Sequence, residues 1–158
     1  MSDDQVWLDR AVDLATANVA RGGGPFGAVV VRDEVVIGEG ANRVTADLDP
    51  TAHAEVMAIR AACLRVERFS LAGATLYASC EPCPLCLSAS LWARVDAVVH
   101  AADSAAAARA GFDDENFRRL VLADTATEQW PLRLEHHPTA RSEEPFDAWR
   151  AKLDHVAY

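Results

Sequence analysis

Lysine is almost absent from this chain: its 158 residues hold one, Lys152, and the other basic side chains are arginines scattered along the sequence. Against 24 acidic residues this leaves a net charge of −9. Binding a polyanion draws on clustered Lys and Arg, so the balance argues against a nucleic-acid partner and for a small-molecule one. Long apolar runs are lacking too, and no stretch reaches the ~20 residues that a bilayer span needs, so no membrane partner is expected. The first residues, MSDDQVWLDR, carry acids where a secretory signal carries a basic and then an apolar region. The expected compartment is the cytoplasm, where thiols stay reduced. Cysteine is sparse, with four residues, yet three of them fall within seven positions. In a reducing compartment such clustering points to metal binding or catalysis ahead of disulfides. No repeat, low-complexity tract or linker divides the chain, and residues 1–158 suit a single domain with its own core.

The apolar pattern sketches the order of elements. Val6, Leu8, Ala11, Leu14, Ala15 and Val19 recur at helical spacing, and Gly22-Gly23-Gly24-Pro25 ends that helix. Two strands follow, Phe26 to Val31 and Val35 to Gly40, joined by a turn at Arg32-Asp33-Glu34. A polar loop from Asn42 to Asp49 leads to Pro50, which opens a helix running to about Arg65. A buried strand at Ala74 to Ala78 precedes a helix from Pro82 to Arg94, with Pro82 as its opener, and a strand at Val95 to Ala101 follows. An edge strand at Leu132 to Glu135 and a helix from Pro145 to His155 complete the order. Strands alternating with helices predict an α/β fold with helices on both faces of a mixed sheet.

Two motifs sit at two helix starts that this order brings together. One is His53-Ala54-Glu55; the other is Pro82-Cys83-Pro84-Leu85-Cys86. One neutral imidazole and two thiolates balance the charge of Zn²⁺, and three protein ligands leave the fourth tetrahedral position to water, as in catalytic sites. A helix N-terminus favours the thiolate form. Glu55, two residues past His53, can face the cavity beside such a metal and carry protons there. H-x-E together with P-C-x-x-C is the pattern of zinc nucleobase deaminases. Each motif alone has plainer readings: a surface histidine, a redox pair, half of a structural zinc site, or part of an iron–sulfur site. Cys63 reads as a small buried hydrophobe, and Cys80 as a structural neighbour or a fourth ligand.

At these residues the sequence resembles the cytidine deaminase superfamily, and within it the compact guanine deaminase branch. The resemblance runs over nearly the whole chain. Its marks are Gly24-Pro25-Phe26-Gly27-Ala28, Asp49-Pro50-Thr51-Ala52-His53-Ala54-Glu55, the cysteine turn, Trp92-Ala93-Arg94, Ala110-Gly111-Phe112-Asp113-Asp114, and the tail with Pro145-Phe146, Ala148-Trp149-Arg150 and Tyr158. The zinc motifs mark only the superfamily; the Gly-Phe-Asp-Asp segment and the tyrosine tail narrow it. Leu85 stands where methionine is common, an exchange of one apolar filler for another. The resemblance implies a three-layer α/β/α sandwich around a mixed five-stranded sheet. It implies hydrolytic deamination of guanine to xanthine and ammonia, with Zn²⁺ on His53, Cys83 and Cys86 and with Glu55 as the catalytic proton carrier. The alternatives are a tRNA adenosine deaminase or a deaminase of another base, nucleoside or triazine. The resemblance further implies that Asn42, the Ala54 backbone, Phe26, Asp114 and Tyr158 bind the base. It also implies a homodimer in which residues 140–158 are exchanged between subunits. Residue by residue, Asn42 also suits a loop turn, Phe26 the core and Asp114 a helix cap. Trp7, Trp92 and Trp130 read as core or interface residues.

Overall fold

The computed structural model describes residues 3–112, 115–122, 134, 137, 139, 141–151, 153 and 156. The order is α1 (Asp3–Ala20), β1 (Gly27–Arg32), β2 (Val35–Ala41), α2 (Val44–Asp47), α3 (Ala54–Val66), β3 (Thr75–Cys80), α4 (Pro84–Trp92), β4 (Ala97–Ala102), α5 (Ser104–Arg109), α6 (Glu115–Leu122) and α7 (Glu144–Ala151). The strands form one mixed sheet in the order β2-β1-β3-β4. β1 runs antiparallel to both neighbours, and β3 and β4 are parallel. Among the described residues the sheet has four strands; the edge strand expected over residues 132–135 lies outside them except for Leu134.

The central strands are covered on both faces, as near-continuous runs such as Ala28-Val29-Val30-Val31 require. Ala11 of α1 packs with Val29, Val31 and Tyr77 on one face. On the other, Ala28, Val30 and Leu76 meet Ala54, Ala58 and Ala62 of α3. Small residues let α3 lie close to β2: a Cβ at Gly40 would overlap the carbonyl of Ala54 and the nitrogen of Ala58. The β1–β2 turn is the two residues Asp33 and Glu34, both left-handed with φ of 51° and 60°, a pairing whose twist suits a hairpin.

Two helix starts differ from the sequence reading, for local reasons. α3 begins at Ala54 and not at Pro50, because Asp49 Oδ1 accepts both the Thr51 N–H at 2.8 Å and its hydroxyl at 2.7 Å and so holds Pro50–His53 as a turn. α4 is opened by Pro84 and not by Pro82: a proline at 84 keeps Cys83 extended, with φ −70° and ψ 169°, so the helix cannot start earlier. His53 and Cys83 are thus matching N-caps. The polar loop after Asn42 also contains one unexpected helical turn, α2, tied by the Arg43–Asp47 ion pair at 2.5 Å.

The antiparallel β1 sends the ends of β2, β3 and β4 to one edge of the sheet. The starts of α3, α4 and α5 gather there, the usual place for a site in an α/β sheet.

Candidate functional site

His53 Nδ1 lies 3.5 Å from Cys83 Sγ and 3.5 Å from Cys86 Sγ, and the two sulfurs are 3.7 Å apart. A tetrahedral Zn²⁺ with ordinary Zn–S and Zn–N bonds would hold its sulfurs ~3.8 Å apart and each sulfur ~3.5 Å from the nitrogen. The three ligand atoms therefore already span the right triangle. The two sulfurs are hydrogen-bonded to each other. The Cys83 thiol is lowered to about 4, first by its hydrogen bond with Cys86 and also by His53, against the opposing effect of burial. The same hydrogen bond raises Cys86. A bound zinc removes the contest, since coordinated thiols give up their protons outright. Cys80 is buried, but its thiol donates to Asp103 O at 3.5 Å and it does not join the metal-ready group.

A cavity of about 530 Å³ opens beside this triad, a common size for a small-molecule site. Glu55 lines it in the first turn of α3, 8 % exposed. Burial pushes its carboxyl up, while the backbone at Glu55 and the Cys86 thiol pull the other way. Asn42 and Phe26 line the cavity too. Asn42 Oδ1 accepts the Val44 N–H at 3.2 Å, so the loop-turn reading holds along with the wall position. Asn42 is also fixed from below, where the Asn18 amide donates to Asn42 O and to Gly24 O at 2.8 Å each. Ala54 lies between two lining residues with its side chain wholly in the core. Asp114 and Tyr158 fall outside the described residues.

Three wall residues escaped the sequence reading as functional. Phe112 stands against Phe26 in an edge-to-face pair, with ring centroids 5.0 Å apart at 86°. Ser104 donates its N–H to Glu81 Oε2 at 3.0 Å, which holds the Glu81 carboxyl below its usual range. Their only signals were the Gly-Phe-Asp-Asp segment and the acid inside the cysteine turn. Of the tryptophans, Trp7 is half-buried against the α1 face of the sheet, Trp92 is exposed, and Trp130 is outside the described residues.

The family model for the cytidine and deoxycytidylate deaminase zinc-binding region matches residues 1–102. The chain belongs to this deaminase family. Its members' zinc fits the His53, Cys83 and Cys86 triangle described above. The chain is 47 % identical to the guanine deaminase of Bacillus subtilis (strain 168) over 92 % of its own length and 93 % of the relative's. The X-ray structure of guanine deaminase from Bacillus subtilis superimposes with a TM-score of 0.92 at 45 % identity, covering 98 % of each chain. The tRNA-specific adenosine deaminase of Haemophilus influenzae is 39 % identical, but over 63 % of this chain and 58 % of that protein.

Proposed function

We propose that this protein is a zinc-dependent guanine deaminase that hydrolyses guanine to xanthine and ammonia, a step of purine breakdown. One observation carries the reading: the likeness to a guanine deaminase continues through the C-terminal third, whereas the likeness to the tRNA enzyme covers 63 % of the chain. The net charge of −9 adds to this, since an RNA substrate favours a basic surface.

His53, Cys83 and Cys86 hold the ion, which when bound supplies a polarised water that loses its proton near neutral pH. Glu55 takes that proton at a carboxylate oxygen and delivers it to a ring nitrogen of the base. As the water oxygen bonds to C2, Glu55 carries that oxygen's remaining proton to the C2 amino group; the C2–N bond breaks, ammonia leaves, and the oxygen becomes the C2 carbonyl of xanthine. Its burial keeps bulk water from competing for the proton. Asn42 offers a donor and an acceptor to the purine edge, the Ala54 backbone meets the ring, and Phe26 supplies a flat apolar face. Asp114 accepts N–H groups from guanine, and Tyr158 closes the pocket. Further parts of the same reading are a fifth edge strand over 132–135, a single domain over 1–158, and a homodimer that exchanges residues 140–158. Thiol ligands that must stay reduced support a cytoplasmic location as part of the same reading.

The test is ammonia release by the zinc-loaded protein from guanine, guanosine, adenine, cytosine, ammeline and an unmodified tRNA. Guanine should be the best substrate. Release from tRNA alone would move the chain to the adenosine deaminase branch.

A further inference from the structure

Glu81 enters the metal turn two residues before Cys83 and is engaged from two sides. Its Oε2 accepts the Ser104 N–H, at the start of α5, at 3.0 Å. Its Oε1 lies 3.2 Å from Arg118 Nη2, on α6. The same Nη2 donates to Pro82 O at 2.9 Å, gripping the peptide that leads into Cys83. Ser104 and Arg118 bracket the segment that carries Phe112, so both ends of that cavity wall are tied to one carboxylate. The Arg118 side chain is 18 % exposed, and its Nε is buried with no partner among the described residues. A buried guanidinium with an unpaired N–H is a costly filler, and an apolar side chain would pack there at less expense.

We propose that Arg118 is a positioning residue: through Glu81 and the Pro82 carbonyl it keeps the wall bearing Phe112 in register with the turn bearing Cys83 and Cys86. It touches no reacting atom. Without it the turn can tilt, which loosens the metal, and the wall can swing away from Phe26, which widens the base pocket. The effect on substrate rests on the reading of the cavity as the guanine site; the effect on the metal does not.

The decisive variant is Arg118→Met in the zinc-loaded protein. Partners that orient metal ligands cost ~10–100-fold in metal affinity or activity, so zinc transfer to a chromogenic chelator should quicken about tenfold and KM for guanine should rise about tenfold, with kcat little changed. Glu81→Gln should shift both readouts the same way, and the double variant should fall clearly short of the product of the two single effects, because the two residues share the Glu81–Arg118 contact. Should Arg118→Met fail to fold, Arg118→Lys carries the test, with smaller shifts in both readouts. A lowered Tm with unchanged zinc release and unchanged KM overturns the proposal, as do fully additive effects in the double variant. If the wild type leaves guanine untouched while zinc release responds as described, the guanine reading falls and the positioning role stands. If the wild type deaminates guanine and both single variants match it, the positioning role alone falls.

Discussion

A carboxylate serves as a proton carrier only where its surroundings do not fix it in one form. Glu55 meets that condition by burial, which raises its pKa, and by its place beside two sulfurs and an imidazole. Glu55→Gln preserves the shape and removes the exchangeable proton. Metal analysis should find zinc retained, while ammonia release falls by a factor of at least 10²–10⁴. A variant that keeps substantial turnover would remove Glu55 from its role. Asp49 acts at the same scale, on structure. Its carboxyl is lowered, first by the Thr51 hydroxyl and then by the Thr51 N–H, with Arg60 adding its charge. A depressed folded-state value stabilises above the unfolded value and loses that stabilisation as pH falls through the folded one. The Tm advantage of the wild type over Asp49→Asn should therefore be full at pH 6 and close as pH drops below the ordinary 3.8. An advantage that grows in acid would contradict this assignment. The meeting of His53, Cys83 and Cys86 beside a cavity that Glu55 lines was legible because each of the two motifs is locally spaced and sits at a helix start. Arg118 and Ser104 were not, since what gives them meaning is a contact with Glu81 made only after folding.

Elements here are placed by small residues. α3 rests on β2 because Gly40 has no side chain beneath Ala54 and Ala58, and this contact fixes the height at which His53 and Glu55 enter the cavity. Gly40→Ala would push against backbone atoms that cannot move aside. Overpacking of this kind costs about 1–3 kcal/mol, readable in urea unfolding, and activity should fall by more than the loss of folded protein explains. Unchanged stability would mean that the helix slides freely. The sequence pattern placed α1 by its helical period and β1 and β3 by their short continuous apolar runs. It misplaced the starts of α3 and α4, because Pro50 and Pro82 look like helix openers by composition. The deciding facts were the Asp49–Thr51 turn and the restriction that Pro84 puts on Cys83.

For the whole molecule, the metal joins parts that the sheet only brings near. His53 and Cys83 are thirty residues apart in sequence, with β3 between them. Chelation should lower Tm, and added zinc should restore it in proportion to the logarithm of its concentration, as for any ligand that binds only the folded state. A Tm indifferent to chelator would show that the site is not filled. The acidic balance and the scarcity of lysine were readable at once and pointed to a small substrate. Pairing at a sheet edge and contacts between subunits are set by residues far apart in the chain, which local sequence patterns do not read.

Both N-caps of the site, His53 and Cys83, make no side-chain capping bond to their helices. These positions ordinarily go to Ser, Thr, Asp or Asn, and a good cap contributes about 0.5–2 kcal/mol. The protein therefore gives up two stabilising caps to turn two side chains toward the metal triangle, a trade of thermal robustness for metal chemistry. In fully chelated protein, His53→Asp and Cys83→Ser should each melt at a higher temperature than the parent. Adding zinc should reverse that order, so that the inactive variants are the sturdier proteins only while the metal is away.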